Sequence, residues 1–264
     1  MVLRRLRFLA RIIPQLAAIA GQAQPAPEPG FCDSAKLEPA RVAGVSDLAD
    51  ITLEGGAVLR LAGIDTASAD SSALLEALRA GLPAGASVLF NAPSGTDRWG
   101  RRAARIYLPP EKAGEPPDWI QGVIAAKGLA RVWPEPGADP CWKALAATEA
   151  IARFERRGLW QDGDIALRPD EKERLMSAAG SRMTLVGRIT GANTGRATVF
   201  VNFGYSRDGI PSLRMPRRLI QPLQEAGLDI SHAKGTIIRV RGIVTLGRQL
   251  FIDIGHIGQI EVVR

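Results

Sequence analysis

Ile51-Thr52-Leu53-Glu54-Gly55-Gly56-Ala57-Val58-Leu59-Arg60-Leu61-Ala62-Gly63-Ile64-Asp65 is the stretch on which the fold turns. Two runs of branched and aliphatic residues, Ile51–Leu53 and Val58–Ile64, flank Glu54-Gly55-Gly56. Branched side chains favour pleated backbone, and glycines supply the positive φ of a tight hairpin, so the stretch predicts two antiparallel strands. Working outward, Val42–Val45 adds a strand before them. Val88–Asn91 and Ala103–Leu108 add two more, flanking a Pro/Ser/Gly/Thr loop that delivers Asp97–Arg101. Helices are expected at Ala73–Arg79, at Trp119–Lys127 with Gly128 ending it, and at Asp139–Arg157. The last has Asp139 as N-cap, Pro140 in the first turn, Arg156 and Arg157 in the last turn and Gly158 as C-cap. Residues 41–161 thus read as one unit, mainly β with helices, of α+β class.

Beyond it, 162–181 is charged and helix-prone and reads as a linker, and 182–264 as a second β-rich unit. Thr184–Ile189, Ala197–Phe203, Thr236–Val244 and Gln249–Ile254 predict strands, with a turn at Thr245-Leu246-Gly247-Arg248 and a helix over Pro216–Ala226.

The composition is that of an ordinary globular chain: 264 residues, 46% apolar and 23% charged, with a net charge of +7. The charge is uneven, since residues 165–264 hold 15 Lys/Arg against 8 Asp/Glu. A basic surface for a polyanionic partner would therefore lie towards the C-terminal end. Residues 1–24 read as an export signal: Arg4, Arg5 and Arg7 precede a mostly apolar run from Phe8 to Ala20, with small residues after it. An amphipathic N-terminal helix is the alternative. Arg11 and Pro14 break the run, so no stable membrane span is expected. Residues 25–40 form a Pro/Ala-rich lead-in. Export implies a periplasmic or secreted setting, where the two cysteines, Cys32 and Cys141, either form one bridge or stand as separate buried thiols.

Three segments carry a family resemblance. Val58-Leu59-Arg60-Leu61-Ala62-Gly63-Ile64-Asp65-Thr66-Ala67-Ser68, then Asp97-Arg98-Trp99-Gly100-Arg101, then Gly128-Leu129-Ala130-Arg131-Val132 with Glu149–Arg153 and Gly158-Leu159-Trp160, resemble the signatures of the staphylococcal nuclease-like (thermonuclease) family. The resemblance implies a five-stranded OB-fold barrel for 41–161. It also implies cleavage of nucleic-acid phosphodiesters with calcium, two arginines, two aspartates and a glutamate. Val201-Asn202-Phe203-Gly204 and Val240-Arg241-Gly242 resemble a small OB-like accessory barrel found after that domain in some bacterial members.

Carried over residue by residue, Arg60 and Arg101 match the two arginines and Asp65 matches one aspartate, while Ala49 and Ser68 stand at the other aspartate and at the glutamate. Guanidinium suits phosphate because it offers parallel donors and stays charged. Each arginine pairing with an acid such as Asp97 or Asp65 is the plainer reading. Calcium needs about six to eight oxygens, so Asp65 alone makes a weak site. In a strand neighbouring side chains point to opposite faces, so Asp50 should not substitute for Ala49, while Asp47 points the right way but lies about 7 Å away along the strand. Asp70 or Glu76 could be recruited if the loop folds back. Trp99 could stack a base, and Arg214, Arg217 and Arg218 form the densest basic cluster. The sequence thus supports an exported nuclease-like protein that binds DNA or RNA with weak or lost hydrolysis. Its alternatives are an active calcium-dependent phosphodiesterase with a rebuilt site, and a cell-envelope interaction module.

Overall fold

The hairpin forms where its residues demand it: Gly56 has φ 81°, and the strands on either side pair Ile51 with Leu59 and Thr52 with Val58. The computed structural model describes residues 32, 36–67, 72–93, 95–135, 141–204, 209–247 and 249–263. The expected export signal, Ser68, Asp70 and the Asp139-Pro140 helix start lie outside them.

Five strands close a barrel. They are β1 (Glu38–Val45), β2 (Ile51–Leu53), β3 (Val58–Leu61), β5 (Ser87–Asn91) and β6 (Arg101–Leu108), with β4 the short Ile64–Asp65. The ring runs β1-β2-β3-β6-β5 and back to β1, with β3 and β6 parallel and the other pairs antiparallel. The protein is therefore α+β with a closed five-stranded OB-like barrel. Side-chain alternation fills it: Val42, Ile51, Leu59, Leu61, Val88, Ala104 and Ile106 are all buried in one hydrophobic cluster. Truncating one of these, Leu61→Ala for instance, should cost about 2–5 kcal/mol. The same alternation turns Arg60 outward between Leu59 and Leu61.

Helices seal the barrel. In α1 (Ser72–Gly81), Leu74 and Leu78 join the core. After β7 (Asp118–Trp119) comes α2 (Ile120–Lys127), anchored by the wholly buried Gln121. Its Oε1 accepts from the Ile106 N–H at 3.2 Å and its Nε2 donates to the Ala104 carbonyl at 2.7 Å, so the amide acts as an extra rung beside β6. α2 ends at Gly128 (φ 66°), and a Cβ there would lie 2.4 Å from the Arg157 carbonyl oxygen. The reciprocal contact is as tight, since a Cβ on Gly158 would lie 2.3 Å from the Gly128 carbonyl oxygen. This abutment corrects the expected end of the long helix. α3 (Trp142–Phe154) stops before Arg156, which has φ 54°, and Gly158 opens a separate turn instead of capping the helix. The strand β8 (Arg131–Val132) pairs with β4 and sets Arg131 opposite Asp65.

Cys32 and Cys141 form a disulfide with Cα atoms 5.4 Å apart. Arg105 reaches both sulfurs, and the Tyr107 hydroxyl donates to the Cys32 carbonyl at 2.9 Å. The bridge thus lies against β6.

A second sheet contains β9 (Arg182–Arg188), β10 (Gly191–Thr194), β11 (Thr198–Asn202), β12 (Ser212–Pro216), β13 (Ile237–Leu246), β14 (Leu250–Asp253) and β15 (Ile260–Val262). Its order is β10-β11-β12-β14-β13-β15, with β9 also on β13, around its own core of Leu185, Val199, Val201, Leu213, Val240 and Ile252. The helix expected over Pro216–Ala226 is instead the end of β12, a 3-10 turn at Arg217–Leu219 and α5 (Ile220–Glu225). Residues 162–181 pack on this sheet through Leu167 and α4 (Lys172–Ser177), whose Leu175 is wholly buried.

Candidate functional site

Asp65 sits at the β4–β8 crossing and is fully buried. Its Oδ2 accepts from Arg131 Nη2 at 2.7 Å, and its Oδ1 from Arg182 Nη1 at 3.3 Å and from the Ala67 N–H at 3.2 Å. Arg182 is the first residue of β9, so the second sheet reaches across to the barrel's aspartate. Its guanidinium also lies 4.8 Å from the centroid of the Trp133 ring and 3.7 Å from Glu135. Glu135 in turn holds Arg60 by two parallel bonds of 2.8 and 2.7 Å. The partner of Arg60 is thus Glu135.

Parallel pairing places Val58 beside Arg101 and Arg60 beside Ala103, so the two arginines share the outer face of the barrel, two residues apart. Arg101 donates through Nε to Asp97 at 3.0 Å and through Nη1 to Asp50 at 3.2 Å. Burial opposes the Arg101 charge, but Asp97 and Asp50 outweigh it and raise its pKa above the ordinary value. The Asp97 carboxylate also accepts from the backbone N–H groups of Trp99 and Arg101. Desolvation, the largest single influence, raises the Asp97 pKa, but these bonds and the Arg101 guanidinium together outweigh it and hold the pKa below the usual range.

Asp50 is a correction to the strand argument. Residues 46–50 form a turn in which Ala49 has φ 60° and Ser46 Oγ accepts from the Leu48 and Asp50 N–H groups. Face alternation does not apply there, so the buried Asp50 reaches Arg101 while Asp47 turns outward to Arg79. Ala49 itself is buried.

Trp99 is 63% exposed at the tip of the β5–β6 connection, with the Arg98 guanidinium 3.9 Å and that of Arg101 4.8 Å from its ring centroid. The other tryptophans are wholly or partly covered. Arg214 is committed to Asp253 through bonds of 2.6 and 2.9 Å, which raise its pKa, and it lies over the Phe251 ring. Arg217 and Arg218 are exposed, and Arg217 donates to the Gly195 carbonyl. Cross-strand registry also builds a groove of about 430 Å³ on the second sheet, lined by Asn193, Phe200, Asn202, Ser212, Gln249 and Phe251. Its two phenyl rings are 5.8 Å apart.

Sequence reasoning did not single out Glu135, Phe200 or Phe251, and it counted Arg182 only among the basic residues of the C-terminal part. Phe200 and Phe251 each sit between apolar neighbours in an alternating strand, a signal for outward-facing aromatics. Nothing local marks Arg182, which acts on a residue 117 positions earlier.

No family model matches the chain, and no curated protein matches it.

Proposed function

We propose that this chain is a nuclease-like barrel that binds single-stranded nucleic acid and hydrolyses it feebly or not at all. The observation that carries the loss of hydrolysis is the burial of Asp65 between two guanidiniums. Both of its oxygens accept from cations, and Ala49 offers no side-chain oxygen. Calcium there would face Arg131 and Arg182 at short range, so the described residues do not fit that ion. Arg60 and Arg101 are likewise neutralised by Glu135, Asp97 and Asp50.

Binding rests on surfaces outside that network. Trp99 with Arg98 presents a stacking face beside a positive charge, the combination that sequence-tolerant single-strand binders use. On the second sheet, β9 and β10 are separated only by Ile189 and Thr190, and both ends are bonded to neighbouring strands. We read them as one bent strand that closes a second OB-like barrel, with the Phe200–Phe251 groove on its outer face. Hydroxyl and amide groups in that groove suit base edges, and the exposed Arg217 and Arg218 suit phosphate. The disulfide, and the lack of any helix among the described residues long and apolar enough to cross a membrane, are compatible with a secreted or periplasmic setting.

The test is fluorescence anisotropy with a labelled single-stranded oligonucleotide across a salt series, beside a cleavage assay with calcium or chelator. Binding that weakens steeply with salt, without metal-dependent cleavage, is expected. Brisk calcium-dependent cleavage would overturn the first half of the reading, and salt-independent or absent binding the second.

A further inference from the structure

A compact charge network joins the barrel to the second sheet. Arg241 is 1% exposed and donates through Nη2 to Glu149 and to Glu261, the latter at 3.1 Å. Arg153 bridges the same two carboxylates at 3.0 and 2.6 Å, and Arg239 is held by Asp164. With the Asp65 and Glu135 pairs, six guanidiniums (Arg60, Arg131, Arg153, Arg182, Arg239, Arg241) meet five carboxylates (Asp65, Glu135, Glu149, Asp164, Glu261). One positive charge is left over.

Donors are left over too. Nε of Arg131, Nε of Arg239 and both Nε and Nη1 of Arg241 are buried without an acceptor. A guanidinium has five N–H groups and no lone pair to offer, so three on Arg241 alone lack partners. Each such group ordinarily costs about 1–3 kcal/mol when left dry. The three side chains that own these donors all line one cavity, together with Arg153, Glu149 and Thr184. It is a small space, with room for about one water-sized particle.

We propose that this cavity is a binding site for a single halide ion, chloride under ordinary conditions, in the seam between the sheets. Four cationic side chains line it. The Glu149 oxygens already accept from the Val132 N–H, Arg153 and Arg241, which leaves little for the hydrogens of a water molecule. An acceptor-only monoanion answers both surpluses, of donors and of charge. Sulfate would bring two negative charges against a surplus of one. The occupant would hold the second sheet against the barrel and so keep Arg182 on Asp65. It does not depend on any activity toward nucleic acid.

Crystals of the full chain grown in sodium bromide should show an anomalous difference peak within hydrogen-bond distance of Arg241 Nε or Nη1. In solution at constant ionic strength, replacing gluconate by chloride or bromide should raise Tm by about 3–5 °C per tenfold halide above the dissociation constant. Sulfate should not substitute, and Arg241→Met should abolish the halide effect. The wild-type bromide peak decides the matter even if that variant folds poorly. No peak at the seam, or the same Tm response in sulfate and gluconate as in halide, overturns the proposal and leaves the cavity to water.

Discussion

Replacing Arg241 should expose how strongly the two sheets depend on each other. Burial works against its charge, yet Glu149 and Glu261 outweigh that penalty and raise its pKa, so the charged form is the one the fold selects. Arg241→Met keeps the volume and removes the charge, leaving Glu149, itself 2% exposed, with Arg153 as its remaining cation. Removing one partner of a buried pair costs about 3–5 kcal/mol. For a chain of this size that is a fall in Tm of roughly 6–20 °C. Glu149→Gln is the matching change, because an amide oxygen can still accept from the Val132 N–H that Glu149 now holds at 2.8 Å. The double variant should cost less than the two single changes together, by about 1–3 kcal/mol, since each single change strands a charge that the double removes. Urea denaturation followed by tryptophan fluorescence, with the disulfide intact, measures all four proteins. Single-variant costs that add to within about 0.5 kcal/mol would falsify the coupling, and an undamaged Arg241→Met would show that the seam is not under load.

Other outcomes follow from the same geometry. Introducing acids with Ala49→Asp and Ser68→Glu should leave calcium-dependent cleavage undetectable, and adding Arg182→Ala to that pair should let it appear in a plasmid-nicking assay; cleavage by the double variant alone would show that Arg182 does not block Asp65. Trp99→Ala should weaken oligonucleotide binding about 5- to 150-fold in anisotropy titrations without changing Tm, the range expected for one stacked base. Burial lowers the His256 pKa, and its Nδ1 accepts from the Gly258 N–H at 3.1 Å, which needs the neutral ring. Between that lowered value and the ordinary value of about 6.5 the unfolded chain binds more protons. The contribution is therefore complete above the ordinary value and lost as pH falls through the lowered one; His256→Asn should flatten this part of the Tm–pH profile.

The strands were legible because their signals are local: Glu54-Gly55-Gly56 and the alternation of Leu59 and Leu61 require no knowledge of distant residues, whereas closure into a barrel, made by the distant pairs β1–β5 and β3–β6, was expected only from the family resemblance. The outward position of Arg60 is explained by the same alternation once the barrel is seen. Its partner is not, because Glu135 lies 75 residues away and only tertiary packing brings it back. The alternation rule misled at Asp50, because Ala49 in a left-handed conformation makes residues 46–50 a turn, where strand alternation does not hold. The end of α3 was misjudged for a similar reason: Gly158 is required by its contact with Gly128, a constraint invisible along the chain.

The Cys32–Cys141 bridge also decides how the molecule would respond to force. It spans 109 positions and encloses every strand of the closed barrel in a covalent ring. A pull applied between the chain ends would be carried through the bridge and the C-terminal segments, so the barrel could come apart without lengthening the tethered chain. Only after reduction would those residues enter the load path, adding roughly 36–39 nm of contour at about 3.3–3.6 Å per residue. Mechanically, the barrel is a sealed knot on the line, and the second sheet alone is a spring in series with it.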